Sequence, residues 1–245
     1  MNKPAISLII PAYNEEKLIY RTLFSVSKAV RQFELDTDQT VEVIVVDNAS
    51  TDRTVEIARR FDVTIIREER HIISAVRNAG AKAANSEILC FLDADNEVSE
   101  NIFTLVYEAM QSGNYIGGGT KMILDQPGII FKGIALGSQI MSYITGISAV
   151  LIYTKKETFE KLGGFDESYY AGEDLKFIFR LKKEGKRANK HFKNIYDGFV
   201  VTSARKFNVM TFADMMLFAR LLLNSKLMTQ KDLCATWYDL SKRGE

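Results

Sequence analysis

Two aspartates one residue apart close an apolar run in Phe91-Leu92-Asp93-Ala94-Asp95. At the end of a buried strand such side chains emerge into a cleft. Carboxylates are hard oxygen ligands, and Mg²⁺ takes only one or two of them, completing its shell with water and substrate phosphates. The pair therefore suits a divalent ion shared between protein and a diphosphate. The same residue types also serve in turns and helix caps, so the tripeptide alone leaves both uses open. Asp47 ends a second apolar run, Val43-Ile44-Val45-Val46. Glu173-Asp174 opens a helical pattern, where acids also complement the positive end of a helix dipole.

What is missing narrows the chemistry further. The first apolar strand runs into Pro11-Ala12-Tyr13-Asn14 and not into a glycine-rich phosphate turn, which sets aside nicotinamide and P-loop chemistry. Gly117-Gly118-Gly119 has the spacing of neither fingerprint. The chain has two cysteines, Cys90 and Cys234, and two histidines, His71 and His191, too few for a disulfide framework or a Cys/His metal cage. Cys90 reads as a small core residue.

The elements that must position these acids follow from the hydrophobic pattern. Apolar runs at 6–10, 41–46, 63–66 and 88–92 alternate with helical patterns at 16–30, 54–60, 73–84 and 100–111. Strands apolar at every position suit a mainly parallel sheet covered on both faces. The expected fold class is thus α/β, with a central, mainly parallel twisted sheet flanked by helices. In such sheets ligands bind at the carboxyl edge, which brings Pro11, Asp47 and Asp93 around one cleft. Ser99 is the expected N-cap of the fourth helix, and Ser50, Thr51 and Asp52 are candidates for the second.

The second half is less regular. Strands are expected at 115–122 and 148–153. A helix at 155–162 should end on Gly163-Gly164, and another at 174–183 should turn Leu175, Ile178 and Phe179 inward. Residues 209–223 form a helical pattern that is apolar almost all round. With no repeat and no linker, one domain is expected over 1–206, with halves at about 1–97 and about 98–206. Residues 207–245 then form a helical extension. Its 207–228 stretch has three open uses: packing on the core, pairing with a second copy, or resting on a membrane surface.

Composition fits this picture. The 245 residues are 47% hydrophobic and 26% charged, and the formal net charge is +1. That balance excludes bulk attraction to nucleic acid but not binding of a small anion. Neither a leader pattern nor a run of about 18 apolar residues is present, so a cytoplasmic location is expected, with peripheral contact at the inner membrane face through 207–228.

Six segments in order add a resemblance: Ile6 to Glu15, Val43 to Thr54, Arg77-Asn78-Ala79-Gly80, Phe91 to Asp95, Gly163-Gly164-Phe165-Asp166-Glu167 and Gly172-Glu173-Asp174-Leu175. Together they resemble the family-2 glycosyltransferases of GT-A fold, over residues 6–205, which implies a nucleotide-binding half at about 1–97 and an acceptor half at about 98–206. The resemblance implies an inverting transfer of sugar from a nucleoside diphosphate, UDP favoured, to a carbohydrate or lipid-linked hydroxyl. It implies a nucleoside edge of Pro11, Tyr13, Glu15 and Asp47, with Arg77 near the base or phosphates. Asp93 would hold the ribose or assist the metal, Asp95 would bind Mg²⁺ or Mn²⁺, and Arg205 would meet the diphosphate. The late histidine ligand of some relatives is absent. Asp174 matches the family's base, while Asp166 and Glu173 are candidate acceptor contacts.

Two other readings compete. A sugar-phosphate nucleotidyltransferase would want a glycine-rich, arginine-containing loop after the first strand, where Pro11-Ala12-Tyr13-Asn14 stands. A non-catalytic nucleotide-sugar-binding protein would have no reason to keep Asp93, Asp95 and Asp174 together.

Overall fold

The computed structural model describes residues 3–125, 150–203 and 229. Its first half is β1 (Ile6–Ala12), α1 (Ile19–Thr37), β2 (Val41–Asp47), α2 (Thr54–Ala58), β3 (Thr64–Arg67), α3 (Ile73–Ala83) and β4 (Ile88–Leu92). The second half has β5 (Asn96–Val98), α4 (Ile102–Gln111), β6 (Tyr115–Leu124), β7 (Leu151–Lys155), α5 (Lys156–Lys161), α6 (Glu173–Arg187) and β8 (His191–Thr202). The strands form one sheet in the order β3-β2-β1-β4-β7-β6-β8-β5. β1 to β4 are mutually parallel, β6 and β8 form a further parallel pair, and β7 and β5 run against their neighbours. The fold is the expected α/β class.

Coverage on both sides explains the unbroken apolar strands. Ile6, Leu8 and Ile10 of β1, with Val43 and Val45 of β2 and Cys90 and Leu92 of β4, join a core that includes Leu23, Val26 and Phe33 of α1 and Phe103 and Val106 of α4. The alternate residues Ile9, Ile44, Val46, Leu89 and Phe91 join a second core with Val76 of α3, Phe159 of α5, and Phe177, Ile178 and Leu181 of α6. Successive strand side chains point to opposite faces, so both must be apolar when both faces are covered. Ser7 is the fully buried polar exception, and its hydroxyl bonds Ser86 Oγ at 2.5 Å and the Glu42 carboxylate.

Pro11 lies inside β1 without loss of a ladder bond. The Ala12 carbonyl accepts from Asn48 N–H on the β2 side (2.8 Å), so Pro11 faces β4, whose ladder with β1 stops at Ile9–Phe91.

Several local expectations are corrected. α1 starts three residues later than the pattern suggested and runs to Thr37. The chain before it is held by the β2–α2 loop: Asn14 N–H donates to Ser50 Oγ, Glu16 N–H to Asp52, and Thr51 N–H to Asn14 Oδ1. Asn14 accordingly adopts a positive φ of 51°. Ser99 does not cap α4, which follows Asn101; its hydroxyl instead accepts from Phe199 N–H at 3.1 Å, tying β8 down. Phe179 is 60% exposed, and α6 turns Phe177, Ile178 and Leu181 inward. β5 and β8 had no strong sequence signal. β5 has three residues, and β8 mixes His191, Lys193, Asn194 and Asp197 among its apolar positions because much of it is exposed. The 209–223 pattern and Arg205 lie outside the described residues.

Gly163-Gly164 ends α5 as expected. Gly163 N–H bonds Glu160 O and Gly164 N–H bonds Phe159 O, with φ of 74° and 68°, a helix stop that glycine allows without strain. Gly80 acts differently: a Cβ there would overlap Ile9 and Val46, so α3 can lie against the sheet only with glycine at this point. Alanine at an ordinary helix position gains up to about 1 kcal/mol over glycine, whereas overpacking costs about 1–3 kcal/mol. Gly80→Ala is therefore expected to destabilise the fold, read as a lower urea midpoint with an unchanged slope.

Candidate active site

The strand order places the site. From β1 the chain steps out to β2 and β3, then α3 carries it back to β4 on the other side of β1. Carboxyl ends of β1, β2 and β4 meet at that reversal, the usual ligand crevice of an open α/β sheet. Ala12 pairs with Asp47 in register, and Asp93 follows β4 directly.

Asp47 is 2% exposed. Ser50 N–H donates to one of its oxygens at 3.1 Å and Arg67 Nη1 to the other at 3.3 Å. Tyr13 meets His71 edge to face, with ring centroids 5.0 Å apart. Glu15 is buried, and its N–H donates to Thr54 Oγ1 at 2.7 Å. The loop carrying Arg67 to His71 is fixed by Asn48, whose side-chain amide donates to the Glu68 and Arg70 carbonyls at 2.7 and 2.8 Å. The nucleoside-edge residues named from sequence thus lie along the carboxyl ends of β1 and β2. Arg67 and His71 join them from β3 and the loop after it.

A second group gathers on Arg77, which α3 projects inward and which is 8% exposed. Its Nη2 donates to Asp93 at 2.7 Å and its Nη1 to Glu173. Its guanidinium carbon lies 5.5 Å from the Phe165 ring centroid. Asp174 follows Glu173 in the first turn of α6, and its Oδ1 accepts from Leu175 N–H at 2.7 Å. One buried cation therefore faces three carboxylates from two elements. Burial drives the Glu173 carboxyl up to about 7, opposed by Arg77 and reinforced by Asp174. Burial also raises Asp174, again against the pull of Arg77.

Asp95 stands among a different set of side chains. It lines a small pocket with Arg21, Thr22, Glu97, Asp125 and Ser203. The turn holding both aspartates is pinned where Thr22 Oγ1 donates to the Ala94 carbonyl at 2.7 Å and Asn96 N–H to the Asp93 carbonyl at 3.2 Å. Among the described residues no three His, Cys, Asp or Glu side chains form a ready cation cage.

Asp166 is engaged within its own loop. It accepts from Lys176 Nζ at 2.6 Å and from Ser168, and these bonds hold its carboxyl down at about 2. Asn78, next to Arg77, clamps the same loop: its amide donates to Phe165 O at 2.9 Å and Glu167 at 3.0 Å, and its carbonyl accepts from Phe165 N–H at 2.9 Å. Arg70 adds an ion pair to Glu167 at 2.7 Å. The signal for Asn78 was its place in Arg77-Asn78-Ala79-Gly80; Arg67 carried none.

The raised Glu173 carboxyl has a consequence for stability. Between the ordinary carboxylate range and about 7 the folded chain holds a proton that the unfolded chain releases, so this contribution to stability falls as pH rises through that window. Denaturant midpoints at about pH 5 and about pH 8 should show this loss, and Glu173→Gln should reduce the difference. An unchanged slope in the variant contradicts the assignment.

Comparison with known proteins identifies the family and the fold. The model of the family described as "Glycosyl transferase family 2" matches residues 7–163. A Haemophilus influenzae protein called "Uncharacterized glycosyltransferase" is 30% identical over 193 residues, 73% of this chain and 62% of that protein. The "Probable glycosyltransferase YdaM" of Bacillus subtilis is 28% identical over 205 residues, 74% of this chain and 47% of its own length. The chain thus spans about half to three-fifths of these two curated relatives. Among solved structures, S. aureus TarS 1-349 superposes with a TM-score of 0.62 at 20% identity, covering 90% of this chain and 66% of that one. The same TarS fragment in complex with UDP gives a TM-score of 0.63 at 18% identity, covering 93% and 73%. The sheet with its helix layers is the GT-A fold of such enzymes, and the chain belongs to glycosyltransferase family 2.

Proposed function

We propose that the chain moves a sugar from a nucleoside diphosphate, UDP favoured, to a hydroxyl of a carbohydrate or lipid-linked acceptor, with inversion at the anomeric carbon. The observation that carries this reading is the meeting of Asp93, at the donor end of β4, with Glu173-Asp174 of α6 on one buried arginine. A donor-side acid and an acceptor-side acid thereby share one cleft. The TarS structures in complex with UDP and with UDP-GlcNAc support a uridine nucleotide as donor.

In this reading Tyr13, Glu15 and Asp47 hold the nucleoside at the strand ends shaped by Pro11, with Arg77 and Asp93 behind it. Arg205, outside the described residues, meets the diphosphate. Asp95, with Asp93 beside it, would hold Mg²⁺ or Mn²⁺. An oxygen-only donor set of one or two carboxylates suits these ions, which need no full protein cage. When bound there the ion supplies positive charge to the departing diphosphate.

Asp174 acts on the incoming side. The acceptor oxygen forms its bond to the anomeric carbon as the carbon–phosphate-oxygen bond breaks and the diphosphate leaves with the electron pair. The hydroxyl proton passes to Asp174. Burial raises this carboxylate's proton affinity, which favours that step. Attack opposite the leaving group inverts the configuration. Asp166, in the loop before α6, contacts the acceptor in this reading with the oxygen capacity that its bonds to Lys176 and Ser168 leave.

Asp174→Asn should keep donor binding and cut turnover by roughly 10²–10⁴-fold in a transfer assay. Asp95→Asn should instead weaken metal-dependent donor binding. Melting temperature measured with UDP-sugars, with and without Mn²⁺ or Mg²⁺, should rise by mass action for the true donor. No rise with any nucleotide sugar, or full turnover in Asp174→Asn, defeats the reading.

A further inference from the structure

We propose that Glu173 is a positioning residue, which through Arg77 holds the donor-side Asp93 and the α6 N-terminus bearing Asp174 at a fixed separation. This rests on the transfer reading above. Glu173 is 5% exposed and its carboxylate is turned to the guanidinium of Arg77. A side chain so buried offers little surface to an acceptor sugar. Arg77 uses its two terminal nitrogens separately, one to the end of β4 through Asp93 and one to α6 through Glu173. The Phe165 ring lies under the guanidinium, and Phe165 itself packs on Phe91, Phe159 and Phe177 at centroid distances of 4.9, 5.5 and 4.8 Å.

The bridge joins elements that the sheet does not join directly. α6 follows a loop that is held by Asn78, on α3 one residue after Arg77, by Arg70 through Glu167, and by Lys176 of α6 itself through Asp166. Gly172, with φ 69°, lets the chain turn sharply into the helix directly before Glu173. Releasing Glu173 from Arg77 removes the tie between β4 and the start of α6 where Asp174 sits, while Lys176 keeps the next part of the turn on Asp166. Catalysis by a base depends on its placement to within about an ångström, and such a misplacement costs about 100-fold.

The test compares wild type, Glu173→Ala and Glu173→Gln in kcat, in KM for donor and acceptor, and in melting temperature. Glu173→Ala should lower kcat by about 10- to 100-fold with the acceptor KM within about two-fold of wild type. Glu173→Gln, which still offers an oxygen to Arg77, should recover most of the rate. A folded Glu173→Ala with full kcat, or one whose defect lies only in acceptor KM, overturns the proposal. If Glu173→Ala fails to fold, Glu173→Gln and Glu173→Asp decide: Gln keeps the reach to Arg77 and should keep most of kcat, whereas Asp, one methylene short, should lose about 10-fold, and equal rates in the two overturn the proposal. Wild-type enzyme that binds and transfers no nucleotide sugar defeats the transfer reading itself, and the positioning role falls with it.

Discussion

A guanidinium buried among carboxylates from two parts of the fold is the interaction on which this site depends. Arg77 cannot give up its charge, and removing it from water is tolerable only with well-placed acceptors. Asp93 and Glu173 provide them, one at the end of β4 and one at the start of α6. The acids in turn need Arg77, because three carboxylates gathered at one place repel one another. The result is mutual constraint: no member can move far without leaving a charge unpaired.

The scaffold that allows this arrangement is the doubly covered sheet. Apolar residues on both faces bury β1 and β4 throughout and β2 from Val43 onward, so their carboxyl ends are fixed points from which polar side chains project. α3 can deliver Arg77 close to those ends because Gly80, one turn along, lets the helix lie against Ile9 and Val46. The loops above the sheet are then held by amides of Asn48 and Asn78, whose donor and acceptor groups replace backbone pairing where no strand continues.

Electrostatics divide the acids by surroundings. Asp166, ringed by Lys176 and Ser168, stays ionised to low pH and serves as a turn anchor. Glu173, buried, and Asp174, half-buried, share one cation, and desolvation makes both hold protons more tightly than free carboxylates. Chemically similar residues within a single segment are thereby given different properties, and the more desolvated ones gain proton affinity.

Much of this was legible in the sequence. Strand–helix alternation and unbroken apolar runs specified the α/β class because two-sided burial leaves a distinctive pattern, and acids at strand ends pointed to the cleft. The six ordered segments identified the family. The tertiary structure alone decided which charges meet. Arg77, Asp93 and Glu173 are distant in sequence, and nothing in their spacing states that one guanidinium joins them. β5 and β8 were hidden for a related reason: one is three residues long and the other is largely exposed, so their pairing is dictated by neighbouring strands and not by a hydrophobic pattern of their own. Local pattern records how each element is buried; partners across the fold are chosen by packing, which no single segment contains.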